Sequence, residues 1–390
     1  MLGFTISLPG ARLVLAVTTL VVATLGLTIQ PAAATSFVMI SDRALAEQAP
    51  VIAEVSVLAS SAAPVSGTPS TDYLVFVERL IKGSMSGSAV VVRVVGGIRP
   101  DGYGLRIDGA PSFKEGEQAV LFLTPRADGT YAILHLMLGA FHRVEIDGRD
   151  LAIRDLSGAS AMGGDVDSNQ VDLPREVSGF TEWLSDLVVG VERNADYFVT
   201  DPGHTEWLPY RAVRHRIARA ESPGDEPMRW RWNPKGYDGK GAGRRAITEA
   251  MRSWDGVGEP ELSFRLRGTS RSKSGLEERD GRNTVLFNDP NDWLPGRFSC
   301  ATGGILAVSG PWFDSRQTFE SSEKGRRKHR IVEADILTND GSQCFFSGKG
   351  RTRAARVLAH ELGHSVGFGH SSDPDSLMFA LPTAVAANPD

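Results

Sequence analysis

The sequence predicts an α+β protein, with an all-β sandwich or barrel module at residues 35–155 and a domain of mixed sheet and helices at residues 227–390. Short runs of Val, Leu, Ile and Phe between Gly, Pro, Asp and Ser turns indicate the first part, and strand patterns alternating with helical spacing indicate the second. The 390 residues suffice for two cores, and a formal net charge of -5 gives no general attraction to nucleic acid.

The first residues resemble an export signal. An apolar run from Leu13 to Ile29 follows Arg12 and precedes Ala32–Ala34. This order is typical of a secretory signal peptide, so residues 1–34 are predicted to be cleaved off after Ala34 and the protein to be secreted. The run exceeds the ~7–15 residues usual for a signal core, which leaves an uncleaved membrane anchor as the alternative. Contact with a membrane is expected only in that case.

The module and the segment after it carry no motif that assigns a chemistry. In the linker at residues 156–226, apolar side chains recur at helical spacing between Val177 and Val188, which predicts one amphipathic helix. The arginine-rich tract at 211–219 lacks interleaved aromatic residues, so we interpret it as a solvated face and expect no nucleic-acid partner. The clearest strands of the module are Val55–Leu58, Tyr73–Val77, Ala89–Val95 and Ala119–Leu123.

The second domain is predicted to place helices against a mixed sheet. The basic run at 323–330 lies between its last two strands and is predicted to be a solvated loop. The predicted strands are Met228–Trp232, Leu262–Leu266, Asn283–Phe287, Gly304–Val308 and Ile331–Leu337, and the predicted helices are Ala242–Trp254 and Thr352–Val366.

A metal-binding pattern stands at the end of the last helix. His360 and His364 are four residues apart, so an α-helix directs both imidazoles toward one point. Glu361 adjoins the first histidine, where its carboxylate can take a proton from a zinc-bound water. Gly367 allows the chain to turn back, and His370 then supplies a third imidazole, which leaves a fourth position open for water. The expected cofactor is therefore one catalytic Zn²⁺.

The other histidines show no ligand spacing, and a structural role is favoured for each of them. They are His135, His142, His204, His215 and His329.

The pattern from His360 to Met378 resembles that of the metzincin metallopeptidases and, among them, the matrixins. Ser371 directly follows the third histidine, as matrixins favour, and the later Met378 matches the Met-turn whose thioether packs beneath the ligands. The resemblance extends back through Gly303–Ala307 and Glu333–Ile336 to the start of this domain.

The resemblance implies an endopeptidase that acts on proteins or peptides. A peptide would add to the edge strand Gly304–Val308, and a zinc-activated water with Glu361 as general base would hydrolyse it. Phe379 and Leu381 are candidates for the wall of the pocket that accepts the residue after the cut. The alternative is an extracellular binding module with a vestigial or structural zinc domain, although a structural zinc needs neither a base nor an open position.

Three departures limit what carries over from matrixins. Val308 stands where animal matrixins place a ligand of a second zinc, and no motif supports a calcium site. Cys300 and Cys344 are the only cysteines, so no earlier cysteine can occupy the catalytic zinc as the matrixin pro-segment does. If the N-terminal module inhibits, it must do so sterically or through another ligand. For Cys300 and Cys344 a disulfide is expected after export, and two unpaired buried thiols are the alternative.

Overall fold

The fold combines two β-sheets with a few helices, which confirms the α+β prediction. All described residues fall within one compact unit. The computed structural model describes residues 35–63, 67–162, 172–200, 227–235, 241–256, 262–320, 327–347, 351–371 and 376–379. The predicted signal segment, the tract 211–219, His204, His215 and Leu381 lie outside these ranges.

Along the chain the elements are β1 (Thr35–Val38), α1 (Asp42–Gln48), β2 (Val51–Ala62), β3 (Ser70–Lys82), β4 (Ala89–Val95), β5 (Gly97–Ile98), β6 (Tyr103–Leu105), β7 (Gln118–Pro125), β8 (Tyr131–Ile133), β9 (Ala140–Ile146), β10 (Arg149–Ile153), β11 (Ser160–Ala161), β12 (Arg175–Glu176), α2 (Val177–Val188), β13 (Met228–Trp232), α3 (Ala242–Arg252), β14 (Phe264–Thr269), β15 (Asn283–Leu286), β16 (Gly304–Glu320), β17 (Arg327–Thr338), α4 (Gln343–Phe346) and α5 (Arg351–Ser365).

The first sheet, here the module sheet, has the strand order β12-β10-β9-β7-β2-β3-β4-β8. Strand β8 also pairs with β7, so β2, β3, β4, β8 and β7 close into a ring. Alternate side chains of these strands, such as Val55, Val75, Val92 and Leu121, fill its interior, as the twofold period of a strand requires. Over these five strands the structure is the barrel that the sequence predicted as one of two options.

The second sheet, here the mixed sheet, has the order β11-β1-β16-β17-β15-β13-β14, with β6 on β16 and β5 on β6. Strands β13, β14, β15 and β17 run parallel, whereas β16 is antiparallel to both β17 and β1. Four of its strands, β1, β5, β6 and β11, come from the segment before residue 162. The N-terminal part of the chain therefore contributes strands to both sheets, and the predicted all-β module is confirmed only in part.

Helices α3 and α5 pack on one face of the mixed sheet. The apolar side of α3 carries Ala246, Ile247, Ala250 and Met251 at helical spacing, and these residues share a buried core with Val357, Leu358 and Leu362 of α5. On the other face, a second core joins module and mixed sheet, because Phe37, Phe141 and Phe180 belong to the same buried cluster as Ile305 and Trp312. Helix α2, predicted from its spacing, contributes Phe180 and Trp183 to that core.

Two further predictions can be compared with the structure. The run 323–330 was expected to be a loop, which is wrong from Arg327 onward, because Arg327–Arg330 begin β17 and pair with β16. Cys300 and Cys344 form a disulfide with their Cα atoms 6.2 Å apart. None of the helices within the described ranges is long and apolar enough to cross a membrane.

Candidate metal centre

The three histidines of the motif meet at one point. His360 and His364 project from one side of α5, and their Nε2 atoms are 2.8 Å apart. The Nε2 atom of His370 is 3.2 Å from that of His360. Across the described ranges, these residues are the one group of three or more His, Cys, Asp or Glu side chains close enough to share a metal.

The turn after α5 returns the chain to this point. Gly367 has a φ of 90°, a left-handed conformation that glycine adopts without strain. Its N–H donates to the His364 carbonyl at 2.9 Å, and the Phe368 N–H donates to the Gly363 carbonyl at 3.0 Å. This pair of bonds is a Schellman C-cap, which ends the helix and brings His370 back beside the first two histidines.

The hydrogen bonds of the rings fix which nitrogen faces the centre. Nδ1 of His360 donates to the Leu377 carbonyl at 2.8 Å, and Nδ1 of His364 donates to the Phe368 carbonyl at 3.0 Å. A neutral imidazole carries one hydrogen, so the Nε2 atoms of both rings present lone pairs to each other. Two lone pairs at 2.8 Å repel unless a cation lies between them. The residues present therefore fit a metal ion with nitrogen ligands, as zinc prefers.

Burial keeps these imidazoles neutral. Loss of solvent lowers the pKa of His360 to about 4 and lowers the pKa of His364 well below its ordinary value. Only a neutral imidazole offers a lone pair to a metal, so the buried site selects the ligand form.

Glu361 lies beside the histidines and is fully buried. Burial raises the pKa of its carboxyl well above the ordinary value. Its Oε1 accepts a hydrogen bond of 2.5 Å from the Ser36 hydroxyl. Its Oε2 has no hydrogen-bond partner among the residues that the structure describes. A buried carboxylate oxygen without a partner is suited to take a proton from a reacting water.

Met378, which the sequence predicts as an apolar floor beneath the ligands, lies against α5 at Gly363, between His360 and His364. It is buried, and its turn is closed by a 2.8 Å bond from the Ser371 N–H to the Met378 carbonyl. Trp254, which sequence reasoning missed, supports the same region. Its ring stacks on Phe368 with centroids 5.3 Å apart, and its Nε1 donates to the Ala359 carbonyl at 2.8 Å. The signal available in the sequence was a tryptophan just after the apolar face of α3. The Ala359 carbonyl that it binds is 105 residues away in the chain.

Other predicted site residues lie as follows. Phe379 is half-buried and forms a β-bridge with Ser371 just after the Met-turn. Val308 is fully buried in the core shared with the module. The Nε2–H group of His135 donates to the Gln48 side-chain oxygen at 3.0 Å, and His329 stacks on Phe313, so both have structural contacts.

Two serines reach the centre from the module, and no motif pointed to them. Ser36 of β1 contacts Glu361, and the Ser160 hydroxyl of β11 is 2.8 Å from Nε2 of His370. The two residues face each other in the β1–β11 pair. They come from parts of the chain 325 and 210 residues from their partners, and a lone serine carries no local pattern that could have revealed them.

Three converging imidazoles on a helix and its returning turn, with a glutamate beside the first, define a metallopeptidase type of centre. Comparison with protein families agrees, since residues 230–388 match the family model for matrixin. This stretch is a matrixin-type metallopeptidase domain, which confirms the resemblance drawn from the motif. Among solved structures, metalloproteinase-II from Bacteroides fragilis matches at 10% identity over 76% of this chain and 83% of that chain, with a TM-score of 0.21. That TM-score is too low for the likeness to carry weight.

Proposed function

We propose that this protein is a secreted zinc endopeptidase in which His360, His364 and His370 hold one zinc ion and Glu361 is the general base. The observation that supports this best is the convergence of three Nε2 atoms, two of them with lone pairs facing each other, beside a buried carboxylate. A structural zinc site would need a fourth protein ligand and no adjacent base.

The chemistry follows from these residues. Zinc held by His360, His364 and His370 would polarise the peptide carbonyl and make the attacking water more acidic. Glu361 takes the proton of the attacking water on its carboxylate and passes it to the leaving amine nitrogen. The carbonyls of Leu377 and Phe368 keep the ligand rings in the required tautomer. Phe379 lies close enough in the chain to contribute to a substrate pocket.

Two observations support secretion. The apolar run Leu13–Ile29 with Ala32–Ala34 has the form of a cleaved signal. The disulfide between Cys300 and Cys344 suits an oxidising compartment. The mass of the exported protein tests this directly, because cleavage after Ala34 leaves Thr35 as the first residue.

The experiment compares the exported wild-type protein with Glu361→Gln and with Glu278→Gln, which changes an exposed glutamate. Zinc is measured by mass spectrometry, and cleavage by mass analysis of a peptide library. We expect one zinc per chain in all three proteins. The cleavage rate should fall by about 10³-fold or more in Glu361→Gln only. Cleavage that is measurable and equal in wild type and Glu361→Gln, or a wild type without zinc, contradicts the proposal. Full zinc with no cleavage, even after the strand displacement described below, favours a binding module.

A further inference from the structure

Strand β1 covers the edge at which a substrate is expected to bind. It runs antiparallel along the start of β16, with Ser36 opposite Ala307 and Val38 opposite Gly304. Further along β16, the residues Trp312–Asp314 pair with β6. Backbone groups of Gly304–Val308 that could bind an extended peptide therefore already bind the chain itself.

The two sides of β1 contact different parts of the molecule. On one side, Ser36 donates to Glu361 and Val38 packs against the core beneath α5. On the other side, the Thr35 hydroxyl bonds to the Asp108 carbonyl, and Phe37 is fully buried in the core shared with the module. The module thus anchors β1 through Phe37 while Ser36 is held against the general base.

A second strand completes this arrangement. Strand β11 pairs in parallel with β1 and places Ser160 next to Ser36. The hydroxyl of Ser160 lies 2.8 Å from His370 Nε2, and that of Ser36 lies 2.5 Å from Glu361 Oε1. Two neighbouring hydroxyl groups therefore contact the third ligand and the general base, in the space that a reacting water and a scissile bond would need.

We propose that Thr35–Val38 is a blocking strand, which occupies the place of the substrate and keeps the enzyme latent until it is displaced. This inference rests on the proposed peptidase function. The proposed block needs no pro-segment cysteine on the metal. It consists of backbone pairing along Gly304–Val308 and of a hydroxyl bond from Ser36 to Glu361. A substrate can enter only if Phe37 leaves the shared core or if the chain is cut after β1.

A purely architectural role for β1 is the competing explanation, because a ninth strand could simply complete the mixed sheet. The two explanations differ in what happens when β1 is loosened. If β1 only supports the sheet, loosening it leaves cleavage unchanged or lowers it. If β1 blocks the cleft, loosening it raises cleavage, since the fraction of molecules with a free edge rises.

Two variants loosen β1 from its cleft side. Ser36→Glu puts a second carboxylate against Glu361, and Val38→Lys charges a half-buried position while leaving Phe37 in place, so it disturbs folding less. The matched control is Ser61→Glu, at an exposed position of β2. Three quantities are measured in the full exported chain: hydrogen exchange of the amides at 35–38 and 304–308, cleavage of the peptide library, and anisotropy of a fluorescein-labelled peptide with the sequence of residues 35–40.

We expect both variants, but not Ser61→Glu, to exchange these amides at least about tenfold faster, to bind the labelled peptide and to cleave about tenfold or more faster than wild type. Faster exchange with cleavage and peptide binding at the wild-type level overturns the inference. Faster exchange with new peptide binding but no cleavage by any zinc-loaded form supports the blocking strand and contradicts the peptidase function instead. Should Ser36→Glu not fold, Val38→Lys decides by the same outcomes. Wild-type protein that binds the labelled peptide as tightly as Val38→Lys also contradicts the block.

Discussion

The sulfur of Met378 occupies the space that a Cβ at Gly363 would need, in the helical turn between His360 and His364. A Cβ at position 363 would overlap that sulfur and come within 2.6 Å of the Trp254 ring. We expect Gly363→Ala to lower the free energy of unfolding by about 1–2 kcal/mol, although alanine is the better helix former by about 1 kcal/mol. Chemical denaturation measures this loss.

The double variant tests whether Met378 causes that loss. Met378→Ala removes the sulfur, so the cost of Gly363→Ala should shrink by about 1 kcal/mol in its presence. Equal costs of Gly363→Ala with and without Met378 would show that the Met-turn does not pack against the helix.

His364 is a proposed zinc ligand, whose Nε2 atom is 2.8 Å from that of His360 and whose side chain is buried. We expect His364→Ala to lose the bound zinc and, with it, the stabilisation that a ligand of the folded state provides. The melting temperature of wild type should fall when a chelator is added, whereas that of His364→Ala should not change. His329→Ala, which removes a half-buried histidine stacked on Phe313, should keep both the zinc and the response to chelator.

The convergence of His360 and His364 beside Glu361 could be predicted because a single helix positions all three, and the period of that helix is visible in the sequence. Strand β13 and helix α2 were also predictable, because each has a local pattern of apolar side chains. The contacts of Ser36 and Ser160 depend instead on pairing between distant strands, which leaves no periodic signal. The start of β17 was mistaken for a loop because a run of basic residues is typical of a solvated segment, whereas Arg327–Arg330 pair with β16.

Asp42 is the buried carboxylate that fixes α1 directly after β1. Its Oδ1 lies 3.0 Å from Arg154 and 2.9 Å from Arg175, and Tyr197 donates to its Oδ2 at 3.1 Å. Asp42→Ala leaves two buried guanidinium groups short of a partner, so the free energy of unfolding should fall by about 3–5 kcal/mol. Glu192→Ala removes an exposed partner of Arg43 and should cost much less than Asp42→Ala, because solvent screens an exposed ion pair. Similar costs in the two variants would contradict this role of Asp42.

Glu333 should make stability depend on pH around neutrality. It is buried, and loss of solvent raises its pKa from 4.5 to about 7, although it accepts hydrogen bonds from the N–H groups of Asp280 and Gly281. The folded protein therefore binds more protons than the unfolded chain between these two pH values, so this contribution is full below about pH 4.5 and is lost as the pH rises through 7. Between pH 5 and pH 8, wild type should lose up to about 3 kcal/mol more than Glu333→Gln in denaturation experiments. Glu278→Gln, at an exposed position, should keep the wild-type slope, and a Glu333→Gln slope equal to that of wild type would mean that this carboxyl is already ionised in the folded protein at pH 5.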